Sequence, residues 1–197
     1  MKRRDLIKGV VAAPLLSPLH FEDVLAFSQL ADSSPCEALQ DAIADGLEGK
    51  KSHLRPFNAT DGLTLESVGT VVPDSPHTIW QLLCHINFSQ DRFLELINDY
   101  TMKPVPHAED GWVKENRPSN EEELKRQVEK LHSSIEQTKS ILHDPTKYKL
   151  MEARGNYGSG FNVLRAMGSH ISYHIGQIML LRRIIGNYPP PSGGDTW

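Results

Sequence analysis

The sequence predicts an all-α protein, a four-helix bundle with long loops between its helices. Three observations predict it. Apolar residues recur at steps of three and four in four segments after residue 33, the period that draws one stripe along a helix. No segment sustains the apolar–polar alternation of a strand. Stretches rich in proline, glycine and polar residues separate the periodic segments, so each helix can fold back and bury its stripe in a shared core.

The first 33 residues read differently. "MKRRDLIKGVVAAPLLSPL" has a basic start, a short apolar run and then small residues, the order of an export signal. Arg3 and Arg4, followed by Asp5, Leu6, Ile7 and Lys8, resemble the twin-arginine pattern. Val24-Leu25-Ala26 offers a small-residue cleavage site. Residues 1–33 are therefore assigned as signal and linker, and the protein as exported to the periplasm. The other reading of this arm is an N-terminal extension of a cytoplasmic protein. A lipoprotein is excluded by Pro35 directly before Cys36, where a small residue is needed.

Residues 34–197 make the single domain. The first helix is expected over about residues 35–50, capped by Ser33 or Ser34, with Leu39, Ile43 and Leu47 as its stripe. A polar stretch to Ser75 then holds a turn or a short helix. Ser75-Pro76 opens the second helix, whose apolar face is Ile79, Leu82, Leu83, Ile86, Phe93, Leu96 and Ile97. Residues 101–120 form a long loop, either a lid over a site or a plain surface connection. Ser119 and Glu122 form a capping box for the third helix, which carries Leu124, Val128, Leu131, Ile135 and Leu142. "GNYGSG" leads into the fourth helix, Phe161 to Ile185, and Gly186 stops it.

Composition narrows the function. A formal net charge of -4 argues against nucleic acid, whose binders carry a basic face. No apolar run reaches the roughly 18 residues of a membrane span. Two cysteines, Cys36 and Cys84, are too few for a disulfide scaffold or a thiolate zinc cluster.

The fourth helix raises the functional question. "SHISYHIGQIMLLRRIIG" places His170 and His174 one turn apart, in line with Met167, Ile178, Leu181 and Ile185. Two imidazoles on one face can reach a single metal ion. They can equally be a hydrogen-bonded pair in the core. His85, in "HTIWQLLCHINFSQDRF", lies at the margin of the second helix's apolar face and supplies a third imidazole. Three nitrogens leave open positions for water or substrate, as in a reactive site. Tyr173, Gln177 and Gln90 are candidate partners for the ligand rings, and Trp112 a candidate cover. Arg182 and Arg183 suit the helix dipole. Cys84 reads as a small packed residue, and His53, His77, His132 and His143 have no assigned role.

These residues resemble the DinB-like metal-binding four-helix bundles. The resemblance rests on "HTIWQLLCHI", on "SHISYHIGQIMLLRRIIG" and on the tail "YPPPSGGDTW", and covers about residues 35–197. It implies a divalent transition metal, zinc or nickel foremost, on His85, His170 and His174. It further implies an enzyme acting on a small-molecule ligand. One version is thiol-dependent transfer or isomerisation, with a low-molecular-weight thiol bound as thiolate; the other is hydrolysis by metal-activated water. The alternative is a non-catalytic, stress-associated metal-binding protein. Homodimers are also implied. Export would weaken the thiol version, because cytosolic thiols are not natural partners outside the cytoplasm.

Overall fold

The computed structural model describes residues 35–50, 53–98, 108–144, 147, 154–155 and 158–194. The export signal, Cys36's side chain and His107 lie outside the described residues. Those described are helical almost throughout: α1 (Pro35–Glu48), α2 (Pro56–Thr60), α3 (Leu65–Gly69), α4 (Ile79–Asn98), α5 (Glu121–Leu142) and α6 (Gly160–Ile184). A 3-10 turn covers Ala108–Gly111, and Arg154–Gly155 pairs antiparallel with Gly158–Ser159 just before α6. The core lies within the compact unit Leu39–Trp197.

The long helices are the periodic segments of the sequence, and α4 lies against both α5 and α6. Leu82, Leu83, Ile86 and Ile97 of α4 meet Leu131 and Ile135 of α5 and Leu164, Met167, Ile171 and Ile178 of α6 in one buried cluster. None of the described helices is long and apolar enough to cross a membrane.

Several local expectations shift. In α1, Leu39 is exposed and Gln40 takes its place inward, donating from Nε2 to the Leu142 carbonyl at the end of α5. That bond satisfies one of the orphan carbonyls every helix leaves at its C-terminus. α4 starts at Ile79, three residues after Pro76. Thr78 Oγ1 accepts from the Gln81 amide, and Gln81 Oε1 accepts from the Thr78 amide, a reciprocal cap. The cap of α5 is Asn120, whose side chain accepts from the Glu123 amide; Ser119 instead donates its amide to Glu123 Oε2. The polar stretch after α1 holds two short helices, α2 and α3.

Arg182 departs furthest from its expected place. It is 1% exposed. Its Nη1 donates to the Ala59 and Asp61 carbonyls at 2.8 Å, and its Nε to the Asn187 carbonyl at 2.9 Å. The guanidinium therefore closes the C-terminal end of α2 rather than only complementing its own helix dipole. Arg183 lies over the Tyr188 ring, 4.2 Å from its centroid.

Candidate metal centre

α4 and α6 bring His85, His170 and His174 together. His170 Nε2 lies 3.3 Å from His85 Nε2 and 3.2 Å from His174 Nε2. One nitrogen from each of the three rings falls within 4.8 Å of the others, so the group can hold a metal ion. His174 is buried, while His85 and His170 are partly buried.

The outer nitrogens show which way each ring is set. His85 Nδ1 lies 3.0 Å from the Gly111 carbonyl. A carbonyl only accepts, so Nδ1 carries the proton and Nε2 keeps its lone pair. His174 Nδ1 lies 2.7 Å from Gln177 Oε1, which fixes the same tautomer there. Three Nε2 atoms thus converge with at most one proton, on His170, to share among them. Three imidazoles arranged so suit a cation better than each other. His170 Nδ1 is buried and without a partner.

A loop frames His85. Gly111 sits where a Cβ would stand 3.1 Å from His85 Nδ1 and 3.0 Å from the Phe88 ring, so a glycine allows the carbonyl its close approach. The next residue, Trp112, stacks on the His85 ring at 3.8 Å and 2°. Farther along, the Val113 carbonyl accepts from Gln81 Nε2 and the Asn116 carbonyl from Thr78 Oγ1. Thr78, just before α4, and Gln81 and His85 on it follow one face, and all three hold this loop. Between the two readings of residues 101–120, the described part is fastened beside the triad.

Electrostatics favour neutral rings. Burial pulls all three imidazoles below the usual histidine range, and His170, with His174 and His85 as further neighbours, falls to about 4. Neutral imidazole is the form that ligates a metal.

A sequence profile of the DinB superfamily matches residues 47–178. The chain belongs to the DinB superfamily. The match contains all three histidines and ends before the proline-rich tail. No curated protein and no solved structure matches this DinB-superfamily chain.

The other expected residues sort by what they touch. Gln177 holds His174. Tyr173 is mostly exposed, its ring meeting that of His174 edge-on with centroids 4.8 Å apart. Trp112 covers His85. His77 stacks on the same indole at 3.6 Å, a contact that sequence reasoning missed because a loop residue carries no periodicity. His53 is buried between the Gly46 and Leu54 carbonyls. His132 bonds Thr60 and stacks on Phe57. Cys84 is buried and packed outside the histidine cluster, and burial pushes its thiol up to about 12.

Proposed function

We propose that this chain is a divalent-metal-dependent enzyme built as a DinB-like four-helix bundle, with His85, His170 and His174 as the metal ligands. The observation that carries the reading is the convergence of three Nε2 atoms, two of them, on His85 and His174, with lone pairs fixed by the partners of their opposite nitrogens. Zinc and nickel both suit three imidazoles. When bound, such an ion supplies positive charge that lowers the pKa of a coordinated thiol or water.

The chain's own residues prepare that chemistry. Gly111 and Trp112 fix the tilt of the His85 ring, and Gln177 fixes that of His174. Trp112 shields one face of His85 from water. Beside them lies a cavity of about 270 Å³, lined by Val72, Leu82, Leu181, His77 and Gln177 among others. Gln177 borders this cavity and holds His174, while His77 lines it from the far side of the Trp112 indole, so a small-molecule substrate seated there would lie one side chain away from the ligands. A low-molecular-weight thiol is the substrate class the family reading favours. Export through residues 1–33 and pairing of two copies through the exposed Tyr173, Leu180 and Ile184 complete the proposal.

Elemental analysis of the untagged chain, before and after zinc or nickel reconstitution, tests it. About one equivalent of metal is expected from three ligands at one centre, and His174→Ala should lose it. No metal after reconstitution would overturn the reading and leave the histidines as polar core residues. A loaded site that refuses exogenous thiol and azide would make the ion a brace and the protein non-catalytic.

A further inference from the structure

His170 differs from its two partners in one respect. The Gly111 carbonyl holds Nδ1 of His85, and Gln177 holds Nδ1 of His174, but Nδ1 of His170 is buried with no partner. A ring nitrogen left alone in the core costs free energy. Once Nε2 is committed to a metal, Nδ1 carries the proton and needs an acceptor.

Among the described residues, the buried side-chain acceptors without a partner are Gln90 Oε1, Asn87 Oδ1 and Asn187 Oδ1. Asn87 is committed to α5 through Gln127. Asn187 lies beyond the end of α6, bonded through its carbonyl to Arg182. Gln90 remains. It is fully buried, and neither Oε1 nor Nε2 has a partner. Along α4 it lies one turn before Phe93 on the same side of the helix, and the Phe93 ring meets the His170 ring edge-on.

From this we infer that Gln90 is the positioning residue of His170, bonding Nδ1 through one buried water or, after a turn of its side chain, directly. The inference rests on the metal reading above for its consequence, and on the unpartnered atoms for its geometry. An amide suits this place because it serves both tautomers. Its Oε1 accepts from Nδ1–H when Nε2 gives its lone pair to a metal. Its Nε2 donates to Nδ1 when the proton of the metal-free ring sits on Nε2 between the other histidines. A carboxylate keeps the first bond only, and an aliphatic residue keeps neither.

The test compares the full chain with Gln90→Leu, Gln90→Met and Gln90→Glu, using zinc competition against a chromophoric chelator and the ¹⁵N resonances of His170. Loss of such an outer partner weakens metal binding about 10- to 100-fold, expected for Leu and Met, with Glu within about threefold of the parent because an acceptor remains. Thermal melts of the metal-free Leu and Met variants should fall modestly, since His170 Nδ1 then loses its partner; a purely structural Gln90 would lower the melts and spare the affinity. The His170 Nδ1 resonance should move in all three metal-free variants. Equal zinc affinity and an unmoved resonance in Leu and Met would overturn the inference. A parent that binds no zinc would defeat the metal reading alone, and the metal-free resonance would still decide Gln90.

Discussion

The Trp112 indole lies flat on the His85 imidazole, with centroids 3.8 Å apart and planes 2° from parallel. Its neighbour Gly111 holds the Nδ1 of the same ring. Two consecutive loop residues therefore set both the plane and the rotation of one candidate ligand. Among the described residues, no loop holds another member of the triad in this way.

The stacking makes Trp112 a reporter of the site. Open-shell ions such as nickel and copper quench an indole that touches one of their ligands. Titrating either ion into the chelator-treated chain should dim tryptophan emission. Trp112→Phe should abolish most of that quench, and Trp80→Phe, which alters a side chain in the core, should keep it. Equal quenching in the two variants would refute the arrangement.

Gln177 bonds His174 Nδ1 at 2.7 Å and lines the adjacent cavity. Gln177→Leu removes the acceptor that fixes the tautomer, and metal affinity should fall about 10- to 100-fold. Gln177→Glu keeps an acceptor and should hold affinity near the parent. Isothermal titration of zinc into each variant checks both, and an unaffected Leu variant would assign Gln177 to the cavity alone.

The sequence made the helices and triad legible for a physical reason: long helices repeat their buried face often enough to be counted. α4, α5 and α6 each do so over five turns or more, and the step from His170 to His174 is itself one turn. α2 and α3, at five residues each, are too short to show a period. Asn120 and Ser119 are both good caps with an acid three residues on, so the start of α5 could not be chosen between them by pattern. Arg182 was opaque for another reason. A basic residue in the last turn of a helix already has a sufficient local explanation, and two of the carbonyls it reaches, those of Ala59 and Asp61, belong to residues more than 120 positions earlier.

Burial of Arg182 carries a stability consequence. Arg182→Ala leaves the carbonyls of Ala59, Asp61 and Asn187 without their donor and opens a void between α2 and α6. The loss should be about 3 kcal/mol, read as a drop in the urea midpoint. Arg182→Lys should recover only part of it, because one ammonium cannot reproduce the planar fork. A midpoint shift below the equivalent of about 1 kcal/mol, ordinary for a surface change, would show the contacts to be dispensable.

Cys84 tests how tightly α4 is packed. Burial raises its thiol to about 12, so almost no thiolate exists at pH 8. In a Cys36→Ser background, Ellman's reagent should leave the native chain unlabelled for hours and label one thiol on unfolding in guanidinium. Fast labelling of the native chain would mean that α4 opens locally far more readily than its packing implies.

His132 supplies the pH dependence. Thr60 Oγ1 donates its proton to the Pro56 carbonyl at 2.9 Å, so toward His132 Nε2, also at 2.9 Å, it accepts. That bond exists whether the ring is neutral or charged, and it leaves burial to decide. Burial lowers the pKa below the ordinary 6.5, against a smaller opposing pull from Glu129. The unfolded chain therefore takes up the proton first. Stability from neutral His132 is full above about pH 6.5 and is lost as pH falls through the lower folded value. Urea unfolding of the metal-free chain across this range should show His132→Gln losing less stability with acidification than the parent, and the His132 ring proton should titrate below 6.5. A midpoint above 6.5 with no difference in slope would mean that Glu129, and not burial, governs the ring.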